Sequence, residues 1–264
     1  MQYPVMILGV HPHFLFEGLG YVVGLSATIW ASSSDRGPVS AEQRHPLIVA
    51  GLFGAFLGAK ILAWAQHPQV SFFAVTEEPT MLLGGKTVVG GLLGGMAGIE
   101  LAKKAMGITE RTGDAYVLPL VLGMSLGRVG CFLSGLEDST FGIETSLPWG
   151  VDLGDGVFRH PTQLYEIIAI WAFFLAIRHR SRTSLVPSGW QFRAFLMSYL
   201  AWRLVVDWIK PADWEILHFS PIQIACVIGL AWYLTAGMLT DEEWARAGDS
   251  SSQFGRWGGP GGVE

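Results

Sequence analysis

The chain has 264 residues, half of them hydrophobic and only 15% charged, with a mean hydropathy of +0.39 and a formal net charge of -5. Water-soluble domains carry about 25% charged residues, so the composition excludes a pair of soluble domains and describes one membrane-embedded helical bundle. Two cysteines, Cys131 and Cys226, lie far apart in apolar segments and give no disulfide framework.

A membrane-spanning helix needs about 20 mostly apolar residues. That rule predicts seven spans, near residues 14–31, 46–66, 80–99, 115–135, 161–178, 190–208 and 219–239. The first lacks a basic leader and a small-residue cleavage site, and it contains Glu17, so it reads as a span rather than a cleaved signal. The third, TMLLGGKTVVGGLLGGMAGI, is glycine-rich enough to predict a broken or re-entrant helix, tolerable only when packed inside protein. Its Gly85-Lys86-Thr87 resembles the end of a phosphate loop, but Thr80 stands where the first glycine belongs, so no nucleotide site is expected. Small-xxx-small pairs (Gly20/Gly24, Gly54/Gly58, Gly91/Gly95, Gly123/Gly127) predict close helix contacts. Trp64, Trp149 and Trp214 near span ends suit an interfacial belt.

The linkers at 100–114 and 179–189 are basic, and the 32–45 linker weakly so. Those carrying Glu77 and Glu78, residues 137–155, and Asp213 with Glu215 are acidic. The positive-inside rule then predicts an outside N-terminus and a cytoplasmic C-terminus. Residues 1–239 form the membrane-embedded domain, and 240–264 read as a polar, disordered cytoplasmic tail.

Charge inside an apolar layer is costly and marks sites. Arg128 lies in GRVGCFLSG at the outer end of the fourth predicted span, flanked by Gly127 and Gly130, which leave room for a ligand. Arg159 and His160 precede the fifth span, and Gln163 and Glu166 open it, with Glu166 facing the bundle one turn in. Tyr199, Arg203 and Asp207 recur every four residues and share one face of the sixth, either as a self-neutralising pair or as part of an anion site. Arginines converging in a hydrophobic layer suit a phosphate-bearing substrate, because guanidinium donates paired hydrogen bonds to phosphate oxygens. Cys131 is either a small packing residue or part of the lining. Glu17 and Lys60 each need a partner or water.

These residues resemble a known family. Gly127-Arg128-Val129-Gly130-Cys131-Phe132, Pro148-Trp149-Gly150 and Arg159-His160-Pro161-Thr162-Gln163-Leu164-Tyr165-Glu166 are similar to the signature of prolipoprotein diacylglyceryl transferases. The glycine-rich segment from Leu83 to Leu92 and the Tyr199/Arg203/Asp207 helix extend the likeness. The resemblance implies a multi-pass enzyme of the bacterial plasma membrane. Such an enzyme moves the diacylglyceryl group of phosphatidylglycerol to the cysteine thiol of a lipoprotein precursor signal peptide and releases glycerol phosphate. By the same resemblance Arg128 and Arg203 hold the phosphate, Tyr199 assists, and Arg159, His160 and Glu166 organise the outer mouth. No cofactor, metal or nucleic acid is expected.

The chain departs from the family pattern at four places. The family histidine falls on Val89, an asparagine on Cys131, a first-span tyrosine on Glu17 and a second-span arginine on Lys60. Valine cannot transfer a proton. Glu17 or His160 therefore takes the histidine's place, or the acceptor differs, or the protein binds and moves lipid without turning it over. A small-solute transporter relaying charge through Glu17, Lys60 and Asp207 is a third class of function.

Overall fold

A computed structural model describes residues 3–32, 39–69, 71, 84–211 and 218–235, and seven long helices dominate them. They are α1 (Pro12–Ser32), α2 (Ala41–Gln66), α3 (Val88–Met106), α4 (Val117–Ser134), α5 (Thr162–Thr183), α6 (Trp190–Val206) and α7 (Pro221–Thr235). Each predicted span overlaps one of them; the third, expected at 80–99, is helical only from Val88 and runs on to Met106, and residues 80–83 lie outside the described residues. The expected tail at 240–264, Glu77, Glu78 and Trp214 lie outside the described residues.

Helix boundaries follow local chemistry. Ser40 and Gln43 form a capping box that starts α2, and Pro46, in the second turn, leaves the Glu42 carbonyl without its helical donor. The third element differs from the expected broken segment: from Val88 onward it is one unbroken helix, capped by the Thr87 side chain and closed by Gly107 in the left-handed region. Glycine costs a lone helix stability, but here the glycines give α3 its partner. A Cβ on Gly90 would stand 2.2 Å from the Gly58 carbonyl oxygen, and one on Gly94 2.3 Å from that of Gly54. The α2 and α3 backbones are therefore in direct contact along a face where only glycine fits. Helices α1 and α4 make a second close pair, with Gly20 against the Gly123 carbonyl. Helix α5 packs between α4 and α6, and α7 reaches Leu93 of α3 and Leu200 of α6 through Gly229.

Polarity is inverted relative to a soluble protein. Leu52, Phe53, Phe56 and Ile61 of α2 are 55–64% exposed, whereas Glu166, Arg203, Arg128 and Lys60 are buried. Apolar surface on this scale is what lipid covers. By length and hydropathy, Glu42–Gln66 and Gly113–Glu137 are long and apolar enough to cross a membrane. Helices α5 and α6 carry basic and acidic side chains among their apolar ones, which lowers their mean hydropathy.

The two ends of the bundle differ. At one end, the Asp114 carboxylate accepts from the Gly189 and Phe192 amides at 2.7 and 3.0 Å, joining the two basic linkers at the start of α6. At the other, residues 138–161 form a cap around a two-stranded antiparallel hairpin, β1 (Val151–Asp152) and β2 (Phe158–Arg159), in register Val151↔Arg159. The Ile143 amide donates to the Ile209 carbonyl at 2.8 Å and Val5 to Leu133 at 2.9 Å, so the cap, the end of α6 and the N-terminal segment meet here.

The direct α2–α3 contact makes a specific prediction. Gly58→Ala or Gly94→Ala places a methyl against backbone and should lower stability by about 1–3 kcal/mol through overpacking. Gly107→Ala, with nothing within 4 Å of its Cβ but a positive φ, should cost less. Unfolding midpoints of the three variants in one detergent would rank them.

Candidate functional site

Glu166 is the centre of the site. It lies on the inner face of α5, fully buried beside Gln163 and Ile170, and its two oxygens gather four partners. The Arg128 Nη2 donates to Oε1 at 2.7 Å, and the Tyr199 hydroxyl donates to the same oxygen at 2.6 Å. The Arg203 Nη1 donates to Oε2 at 3.2 Å, and the Lys210 ammonium stands 3.6 Å from it. Arg203 also donates from Nη2 to Asp207 Oδ1 at 2.6 Å, while the Ser220 hydroxyl donates to Asp207 Oδ2 at 2.5 Å. The Arg203–Asp207 pair read from the spacing is thus real, and Arg203 is shared with Glu166.

Helix geometry explains this convergence. Phe195, Tyr199 and Arg203 recur at four-residue steps on the buried face of α6. Phe195, Tyr199, Leu196 and Leu200 are each 0% exposed and anchor that face against Ile170 and Val121. Arg128 descends from α4, which packs beside α5.

With Lys210 protonated, three cations face two carboxylates in this cluster, an excess of one positive charge. Burial pushes the Lys210 ammonium, just beyond the end of α6, down to about 7. Arg203 and Arg128 add to that push and outweigh the attraction of Glu166. The Arg203 Nε and both side-chain polar atoms of Gln163 are buried without a protein partner. A buried site with surplus positive charge and unpaired donors is suited to an anion.

Arg128, Arg203, Asp207 and Lys210 line a cavity of about 2140 Å³ that also reaches Glu17, Lys60, Lys86 and Cys131. Gly127 has nothing within 4 Å of its Cβ position and opens onto this cavity, as expected of a residue that leaves space beside Arg128. Gly130 does not: its Cβ would meet Phe16 at 2.8 Å and the Pro12 carbonyl at 3.2 Å, so its role is the α1–α4 contact. Cys131 is buried and lines the cavity.

The intramembrane charges of the first two helices find partners from the segment before α3. Glu17 pairs with Lys86 and accepts from the Tyr21 hydroxyl at 2.6 Å. Lys60 donates to the Gly84 and Gly85 carbonyls at 3.1 and 2.9 Å. Thr87 caps α3, which gives the Gly85-Lys86-Thr87 stretch a structural role.

Arg159 and His160 are placed on the cap, apart from the Glu166 cluster. Arg159 makes a bidentate pair with Asp155 at 2.7 Å and lies 5.3 Å from the Phe141 ring centroid. That pair pulls the Asp155 carboxyl down to about 2. His160 Nδ1 is 3.2 Å from the Tyr165 hydroxyl, which accepts from Trp149 Nε1 at 2.7 Å. Val89, where the resemblance implies a histidine, is 1% exposed in the core cluster with Leu92, Ile222 and Cys226.

Sequence reasoning missed Lys210, His13, Asp138 and Lys86. Lys210 was legible: Arg203, Asp207 and Lys210 follow an i, i+4, i+7 spacing, continued by the 3-10 turn Asp207–Ile209.

The family model for prolipoprotein diacylglyceryl transferase matches residues 4–240. A Geobacter sulfurreducens protein named phosphatidylglycerol–prolipoprotein diacylglyceryl transferase is 28% identical over 251 residues, which cover 88% of this chain and 91% of that protein. The Pasteurella multocida protein of the same name is 28% identical over 267 residues, covering 89% and 94%. That of Pseudoalteromonas atlantica is 31% identical over 226 residues, covering 81% and 78%.

The contrast between the two glycines beside Arg128 is testable. Gly127→Leu should fold with a midpoint close to the parent's and retain less co-purified phospholipid in native mass spectrometry, because its side chain enters the cavity. Gly130→Leu should instead lower the midpoint, by about 1–3 kcal/mol of stability, by forcing α1 from α4.

Proposed function

Because this chain belongs to the prolipoprotein diacylglyceryl transferase family, we propose that it is an integral-membrane transferase. It moves the diacylglyceryl group of phosphatidylglycerol to the cysteine thiol of a lipoprotein precursor, the reaction that its relatives' names describe. The observation that carries this reading is the convergence of Arg128, Tyr199, Arg203 and Lys210 on Glu166 in a cavity-lining cluster with surplus positive charge.

In this reading the protein is a seven-span bundle of the bacterial plasma membrane. The cap and the N-terminal segment face outward, and the basic linkers joined at Asp114 face the cytoplasm. The 240–264 segment is its cytoplasmic tail. The lipid's acyl chains occupy the apolar part of the cavity and its phosphate lies against the arginines.

The acceptor thiol gives up its proton to water, and the thiolate sulfur attacks the glyceryl carbon that bears the phosphate ester. A carbon–sulfur bond forms, the carbon–oxygen bond breaks, and both electrons of that bond leave with glycerol phosphate. Negative charge grows on the departing phosphate, and Arg128 and Arg203 are placed to stabilise it before the reaction begins. Tyr199 holds the Glu166 oxygen that Arg128 also uses, which fixes the guanidinium's direction. Gln163 supplies unpaired polar atoms on the same helix face. Glu17 holds Lys86 over the cavity, and Lys60 adds to the positive field that favours a thiolate. Arg159 and His160 brace the outer cap, and Cys131 lines the acceptor side.

Purified protein given phosphatidylglycerol labelled in its diacylglyceryl part and a lipoprotein signal peptide should yield a labelled peptide. Arg128→Ala should lose about a hundredfold or more of that rate, the scale for removing a preorganised donor. Equal rates in the two proteins would refute the assignment. Bound lipid with no labelled product would favour lipid binding without turnover, the second reading, for which buried Val89 is the argument.

Lys210 gives the pH dependence its sign. At pH 6 the amine is protonated in the free protein. Above pH 7 a bound phosphate must draw a proton to it, so affinity for short-chain phosphatidylglycerol should weaken by up to about tenfold per pH unit above 7. Titrations from pH 6 to 9 should show this slope, and Lys210→Met should flatten it.

A further inference from the structure

A second cluster of reactive side chains lies where α1 meets the end of α4, and neither the arginines nor Glu166 belong to it. His13 is in the first turn of α1, Cys131 in the last turn of α4, and Asp138 follows the 3-10 turn Gly135–Glu137. Their ligand atoms, one from each residue, all lie within 4.8 Å of one another, and His13 Nδ1 is 3.0 Å from Asp138 Oδ2. Cys131 is a free thiol. From this geometry we propose that His13, Cys131 and Asp138 form a binding site for a borderline divalent metal ion of the zinc class.

The donor set and its spacing fit that ion. One imidazole nitrogen, one thiolate and one carboxylate suit zinc rather than magnesium or calcium, which take oxygen. Tetrahedral zinc, with bonds of about 2.0–2.3 Å, needs its ligand atoms about 3.4–3.6 Å apart. The 3.0 Å and sub-4.8 Å separations reach that geometry with side-chain adjustments of about 1 Å.

The surroundings supply what a histidine-bearing metal site needs around its ligands. The other ring nitrogen, His13 Nε2, lies 3.4 Å from Glu17 Oε2, so the proton stays on Nε2 and Nδ1 is left for the metal. Asp138 Oδ1 accepts from the Thr140 amide at 3.1 Å, which aims Oδ2 at the site. The Thr140 carbonyl in turn accepts from the Thr162 hydroxyl at 2.5 Å, tying the loop to α5. Binding releases the thiol proton and the proton that Nδ1 shares with Asp138. Three protein ligands leave a fourth position, and all three residues line the cavity described above. That is the pattern of a zinc site that accepts a ligand from outside the protein.

The full chain, purified without a histidine tag, dialysed against zinc and washed, should hold about one zinc ion per chain by elemental analysis. Replacement by cobalt should give a thiolate-to-metal charge-transfer band that disappears in Cys131→Ser, a near-isosteric change. His13→Ala and Asp138→Asn should lose zinc, and Cys131→Ser, which leaves the His13–Asp138 pair intact, should weaken zinc binding while keeping the parent's unfolding midpoint without metal. Glu17→Gln should keep the band and weaken affinity about 10–100-fold. Absence of stoichiometric zinc in the folded parent, or a cobalt spectrum unchanged in Cys131→Ser, would show that the cluster is only a His13–Asp138 ion pair beside a packing thiol.

Discussion

A carboxylate held at zero exposure must be surrounded by charge, and that requirement organises this molecule. Burying an ion costs several kcal/mol unless opposite charge and hydrogen bonds offset it. Glu166 meets the cost with Arg128, Tyr199, Arg203 and Lys210, drawn from α4, from α6 and from the turn beyond α6. The same carboxylate therefore aligns three helix ends and holds two guanidiniums at fixed positions. With Lys210 protonated, its partners over-compensate it even with Asp207 included.

The bundle holds that cluster with two kinds of packing, an apolar core around Phe195 and Ile170 and direct backbone contact between helices. In lipid, apolar side chains gain little by facing each other, so helix association depends on close packing. The glycine faces of α2 and α3 and the Gly20–Gly123 crossing of α1 and α4 supply it. Along α2, large apolar side chains such as Phe53 and Ile61 stand exposed. Inside, an apolar cluster around Phe195, Leu196, Leu200 and Ile170 lies beside the buried charges, and the cavity between the helices reaches Lys60, Lys86, Arg128 and Arg203 together.

The cap closes the cluster from the other side. Its hairpin turn is held by Asp152, whose Oδ1 accepts from the Gly154 and Gly156 amides at 2.8 and 3.0 Å. Gly154 and Gly156 have φ values of 116° and 80°, which other residues rarely adopt. Gly142 sits where a Cβ would come within 2.6 Å of His160 and 2.9 Å of the Ile209 carbonyl. Arg159 and His160 thus shape the cap, while Arg128 and Arg203 line the cavity from the helices.

Hydropathy by itself determined the helical class, the number of long helices and nearly all their positions, because a run of apolar residues is a local property. Charge within apolar runs likewise singled out Arg128, Glu166 and Arg203, and four-residue spacing added Tyr199; the structure brings the four together. Tertiary structure alone decided which charges meet. Glu166, rather than solvent or lipid, unites the arginines; Lys210 completes their set; and Lys86 is the partner of Glu17. It also made the Val88–Met106 part of the glycine-rich stretch one continuous helix, because its glycines are matched by the glycines of α2. Residues 13, 131 and 138 could not be grouped by spacing, for their separation along the chain is closed only where α1 lies against α4. A single residue's burial cost can be read from the chain, but the compensation for it is a matter of distance in three dimensions.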